Sequence, residues 1–181
     1  MNERDNNSNF IKVGQGDEGI KRLVGWYKEH PCDVLRIIDP HFHAEDLFII
    51  KMLMDVNNDL KCFILTHKGN DEPLNDIFQK GWNAVSAELP GRIEVKSCRY
   101  EEQPEKAPFH DRWWLLYDAD KDVYYGDRMS SISTFGSRIT EISEMKPEAI
   151  KSAMYYFNRF FVDMVSRDEE RKLEYEETRL R

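Results

Sequence analysis

The sequence predicts a single α/β domain: a mixed sheet of about seven strands flanked by helices. Three observations carry this. Two continuous apolar runs, 34–38 and 60–66, have strand length and lack the polar alternation of a sheet with one wet face. Amphipathic stretches at helical spacing separate the runs, and that alternation implies parallel central strands. The 181 residues, 40% hydrophobic and 12% aromatic, suffice for one core in one domain.

Taken in order, the polar residues 1–9 read as a disordered N-terminus, and the domain spans 10–165. Residues 10–13 alternate as a short strand. Gly14-Gln15-Gly16 is a turn, and no Gly-Lys-Ser/Thr follows that would make it a phosphate loop. Asp17 reads as an N-cap, with Ile20, Leu23, Val24 and Tyr27 at helical spacing until His30-Pro31 ends the helix. The buried strand 34–38 is interrupted by Arg36 alone and stopped by Asp39-Pro40. His41 and His43 lie two apart there, without a third ligand at close spacing, so a loop over the sheet edge is expected and no metal.

Next comes a helix over 45–56, with Leu47, Ile50, Leu53 and Met54 inward, then the strand 60–66. Pro73 opens a helix whose stripe is Leu74, Ile77, Phe78, Trp82 and Val85. A strand over 92–99 and a charged loop over 100–107 lead to a strand from His110 to Tyr117. A charged turn, a strand from Val123, a polar segment 130–136 and a strand over 139–145 follow. The last helix starts at Lys146-Pro147 and carries a wide apolar face that includes Phe157, Phe160, Phe161 and Met164. Mixed charges over 166–181 read as a charged helical tail.

Composition excludes several classes. The net charge of −8 argues against bulk electrostatic binding of nucleic acid, so any phosphate site must be a local basic pocket. No run of 18 apolar residues exists, so no membrane span is expected. The polar start is no signal peptide, and cytoplasmic localisation is expected. Cys32, Cys62 and Cys98 are scattered beside apolar strands, which suits buried reduced thiols. No cofactor is expected.

The stretch 108–138 carries the chemistry. It holds His110-Asp111-Arg112, the apolar run 113–117, Asp118, and a hydroxyl-rich segment ending on Ser137 and Arg138. Residues two apart on a strand share a face. An imidazole beside a guanidinium, with hydroxyl donors near, suits gripping and attacking a phosphate ester. The bland alternative is an ion-pair network of His110 and Arg112 with Asp111, Asp118 or Glu141.

This pattern resembles the phospholipase D superfamily, whose motif is His-x-Lys, a later Asp and a Gly/Ser-rich segment. It is most similar to a branch with His-Asp-Arg and Ser-aliphatic-x-x-aliphatic-Gly, here Ser131-Ile132-Ser133-Thr134-Phe135-Gly136. That branch includes bacterial phospholipase-D-like proteins and the module C-terminal to MIT domains. Here Arg112 stands where Lys is usual, Asp118 comes one residue late, and the chain has one motif where full enzymes carry two. The resemblance implies a phospholipase-D-like mixed sheet with the motif strand near its centre. It implies His110 as nucleophile forming a phosphohistidine, Arg112 as clamp, and Asp118 as third catalytic residue. Ser131, Ser133 and Arg138 would bind phosphate, with Asp39 and Glu141 on the site wall. A second His would come from a partner subunit, hence a homodimer. Two classes stay open. One is a phosphodiesterase, with nucleic acid as leading substrate. The other is a non-catalytic adaptor that keeps the phosphate grip and docks a protein through the last helix and tail.

Overall fold

The computed structural model describes residues 10–68, 72–129, 132–164 and 172–181. Its elements are β1 (Phe10–Ile11), α1 (Gly16–Glu29), β2 (Val34–Ile38), α2 (Leu47–Met54), β3 (Lys61–Thr66), α3 (Leu74–Val85), β4 (Arg92–Tyr100), β5 (Trp113–Asp118), β6 (Val123–Met129), β7 (Thr140–Glu144), α4 (Pro147–Phe157) and β8 (Leu173–Arg179). Among the described residues, eight strands form one mixed sheet in the order β1-β7-β6-β5-β2-β3-β4-β8. β2, β3 and β4 are parallel, as the apolar runs and intervening helices require, and the remaining pairings are antiparallel.

The sheet is covered on both faces, unequally. On one face Leu35, Ile37, Cys62, Ile64, Trp114 and Leu116 pack under α1, α2 and α3, whose Leu23, Tyr27, Leu53, Phe78 and Trp82 belong to the same cluster. On the other, Ile38, Leu65 and Leu115 meet the one helix α4 and its continuation. That continuation is a π-helical turn over Asn158–Val162, with the Asp163 N–H donating to Asn158 O at 2.9 Å. Arg36, the cation in the apolar β2, lies on the α4 side. Its guanidinium carbon is 5.9–6.0 Å from the ring centres of Phe63, Tyr124 and Phe157. Burial lowers its affinity for the proton.

Three expectations need correction. The helical tail over 166–181 is a strand where it is described: β8 pairs antiparallel with β4. Leu173 and Tyr175 pack against the α4-side core, while Glu174 pairs with Arg99, Glu176 with Lys68 and Glu177 with Lys96. Glu-rich alternation suits an edge strand facing a basic neighbour as well as it suits a solvated helix. Asp17 is not the N-cap of α1; Gln15 holds that place, its side chain accepting the Lys12 N–H at 3.0 Å. Gly14 and Gly136, both at positive φ, close this corner through a Gly14 N–H to Gly136 O bond of 2.7 Å. The helix expected over 45–56 opens as a 3-10 turn, Ala44–Asp46, before α2. The expected disorder of residues 1–9 and the start of the tail fall outside the described residues.

Cys32, Cys62 and Cys98 are buried and unbridged, and burial raises all three thiol pKa values, that of Cys32 to about 11. Among the described residues, no helix is long and apolar enough to cross a membrane.

Candidate functional site

The topology brings five segments to one end of the sheet. β2 and β3 end there, β5 begins there, β6 ends there, and β7 begins there. The carboxyl end of parallel strands is where open α/β sheets usually bind ligands. His110, Asp111 and Arg112 occupy an irregular lead-in just before β5 and not, as the sequence suggested, the strand itself. Two anchors hold it. Phe109, 9% exposed, packs on Phe160, and the Met129 N–H donates to Arg112 O at 3.3 Å.

His110, Asp111 and Arg112 line one polar cavity of about 330 Å³ with Arg128, Met129, Glu141 and Ser143. Arg128 and Ser143 are cross-strand partners in the β6–β7 ladder, and Glu141, two residues before Ser143, lies on the same face. His110 and Arg112 therefore do share a cavity, and Glu141 is on its wall. Among the described residues, the hydroxyl lining the cavity with them is that of Ser143. Ser131 and the side chain of Ser133, expected to bind phosphate, lie outside the described residues.

Asp39 sits behind Arg112, at the end of β2 and 1% exposed. Its Oδ1 accepts the His41 N–H at 2.8 Å and lies 3.5 Å from Arg112 Nε. The latter distance serves an ion pair but is long for a hydrogen bond. Arg112 Nε is buried and has no hydrogen-bond partner among the described residues. A guanidinium oriented by a buried carboxylate yet not saturated by it keeps donors for an anion. Partial burial and then the Arg112 cation lower the His41 pKa, against the pull of Asp39. Asp46, a few residues on, accepts the His43 N–H at 2.9 Å, and burial pushes its pKa up to about 6. Among the described residues, no three His, Cys, Asp or Glu side chains gather closely enough to hold a metal.

Two expected site residues lie elsewhere. Asp118 is at the opposite end of β5, where it accepts the N–H groups of Asp120 and Lys121 at 3.1 Å and pairs with Lys121 Nζ at 2.7 Å. Lys121 above all holds its carboxyl below the usual range. It is a turn-building carboxylate, and the strand between it and His110 keeps it from the cavity. Arg138 is exposed and not part of the cavity lining; its N–H closes a turn onto Thr134 O at 3.2 Å. Conversely, Arg128 and Ser143 were missed. A signal existed: a β5–β6 hairpin about the 119–122 turn pairs Trp113 with Arg128, one residue from Arg112.

The cavity thus holds two arginines, an imidazole, a hydroxyl and two carboxylates. Such a set can grip one phosphoryl group, present a nucleophile to it and hold water beside it. In comparisons with known proteins, no family model and no curated protein matches this chain.

Proposed function

We propose that this is a phospholipase-D-like domain that binds a phosphodiester at the His110–Arg112 cavity and hydrolyses it through a phosphohistidine. The observation that carries this is the convergence of His110, Arg112, Arg128 and Ser143 on one polar cavity. Arg112, oriented by Asp39, and Arg128 hold the non-bridging oxygens, and Ser143 donates a further hydrogen bond. The imidazole nitrogen of His110 attacks phosphorus; a P–N bond forms as the P–O bond to the leaving group breaks. The leaving alkoxide takes a proton from an acid. Water then attacks the phosphohistidine and gives its proton to the conjugate base of that acid; a P–O bond forms as the P–N bond breaks, returning the imidazole. The acid is a second imidazole, either His110 of a second copy in a homodimer or His41, whose backbone N–H binds the same Asp39 carboxylate that faces Arg112.

The competing reading is a non-catalytic adaptor that retains the phosphate grip. One observation favours it: Asp111 and Glu141 line the same cavity and oppose an incoming anion. Hydrolysis of bis-p-nitrophenyl phosphate and of single-stranded DNA, with wild type and His110→Ala, decides between them. The enzyme reading expects a loss of roughly 10³-fold or more in kcat on substitution. Equal rates, or none in either protein, leave the adaptor. Sedimentation at micromolar concentration, with mixed active and His110→Ala chains, tests the dimer.

A further inference from the structure

A second cavity, of about 160 Å³, adjoins the polar one and shares His110 and Asp111 with it. Its other walls are largely aromatic. Phe109 and Phe160 are 5.8 Å apart between ring centres, and Trp113 and Tyr156 are 6.2 Å apart with planes tilted by 31°. These rings come from separate elements: the lead-in, the start of β5, α4 and the π-helical turn. The turn puts Phe160 at the cavity while Phe161, its neighbour, packs on Phe63 and Phe157.

We infer that this cavity takes the base of a single nucleotide whose phosphate sits in the polar cavity, so that the substrate is a nucleotide phosphoester. The inference rests on the phosphate-site reading and adds the identity of the attached group. An anion site contiguous with an aromatic one fits a ligand with an anionic end and a flat apolar end. Together the two cavities fall in the size range of small-molecule sites. Bases stack on aromatic side chains whatever their identity. A sugar or inositol in the second cavity would bury most of its hydroxyls against the apolar faces of Phe109, Phe160, Trp113 and Tyr156 and the side chains of Ile38 and Pro108, with polar partners only at His110, Asp111 and the ring edges. A net charge of −8 disfavours long nucleic acid, which binds through many phosphates at once, and leaves a single nucleotide or a strand end.

Titration calorimetry with AMP, ribose 5-phosphate and inositol 1-phosphate tests this. AMP is expected to bind about tenfold tighter than either of the others. Tyr156 is half-buried, and Tyr156→Ala should bring AMP to the affinity of ribose 5-phosphate while leaving ribose 5-phosphate unchanged; Tyr156→Phe should keep the preference. A thermal melt of each variant checks the fold. Equal binding of AMP and ribose 5-phosphate by wild type overturns the base site alone, as does inositol 1-phosphate matching AMP or a preference that survives Tyr156→Ala. If none of the three binds, the phosphate-site reading itself fails, and the base site with it.

Discussion

The two ends of β5 carry the same kinds of side chain and do different things with them. At one end His110, Asp111 and Arg112 open onto a cavity, and Arg112 Nε has no hydrogen-bond partner among the described residues. At the other, Asp118 accepts two backbone N–H groups and an ammonium, and its capacity is spent on the turn. In sequence all four residues look like one motif. In space six residues of extended chain, roughly 20 Å, separate Arg112 from Asp118. A polar group whose bonds are all satisfied locally shapes the chain, whereas one with bonds left over beside a cavity is available to a ligand.

That contrast can be broken most severely at His110. His110→Ala should lower diesterase kcat by roughly 10³-fold or more, while Asp118→Asn should leave kcat within about twofold. An equal loss in both variants would mean that the distant carboxylate acts in catalysis after all. His41→Ala sharpens the picture from the same end. If His41 is the acid, the variant should lose activity on alkyl esters and keep most of it on p-nitrophenyl esters, whose leaving group needs no proton. Loss on both, or on neither, removes His41 from that role.

A smaller effect is expected one bond further back. Asp39→Asn keeps the shape of the buried side chain and removes the charge that orients Arg112. KM for a phosphodiester should rise about tenfold with kcat little changed, as measured by steady-state kinetics. A change in kcat alone would contradict a positioning role.

Stability against pH gives a fourth, milder test. Burial pushes the pKa of both Asp46 and Asp127 to about 6 from an ordinary 3.8. The folded protein therefore holds protons that the unfolded chain gives up between those values. This contribution is full below the lower value and is lost as pH rises through 6. The melting temperature should be several degrees higher at pH 5.5 than at pH 7.5. Asp127→Asn should flatten the dependence, and a flat wild-type profile would show that these carboxylates are not desolvated. The smallest effect should come from Asp118→Asn, which keeps an oxygen for the two backbone N–H groups and loses only the pairing with the mostly exposed Lys121, so the melting temperature should fall by no more than about 2 °C.

The same contrast explains what was legible in the sequence. β2, β3, β4 and β5 lie at the centre of the sheet; apolar runs announce β2, β3 and β5, and alternation announces β4. β8 did not announce itself. Its glutamates find their lysines and arginines on β4 and at the end of β3, and such pairing appears only once the strands are side by side. The site followed the same rule. His110 and Arg112 were readable from local spacing, and Asp39 from its place at a strand end, while Glu141 entered only as a candidate ion-pair partner and wall residue. Arg128 and Ser143 join them through ladder register, which one residue of slip would send to the other face. The aromatic face of the last helix was visible, but the turn that divides Phe160 from Phe161 was not, because helical periodicity assumes a regular winding.

That π-helical turn also sets how this protein can be altered by deletion. Within it Phe160 and Phe161 are both buried, at 2% and 5% exposure, against different neighbours, Phe109 and Phe63. The wider winding absorbs one residue beyond what a regular α-helix would need over this span. Loss of a single codon within Asn158–Val162 would restore the tighter winding without breaking the helix. The described residues before and after the turn would keep their register, and only the side chains inside it, Phe160 and Phe161 among them, would be re-aimed, by about 100° for each residue's step. The wall of the second cavity would be lost while Ile150, Ala153 and Phe157 stayed seated. The specificity of the candidate site can thus drift in a single genetic step that leaves its phosphate-binding residues untouched.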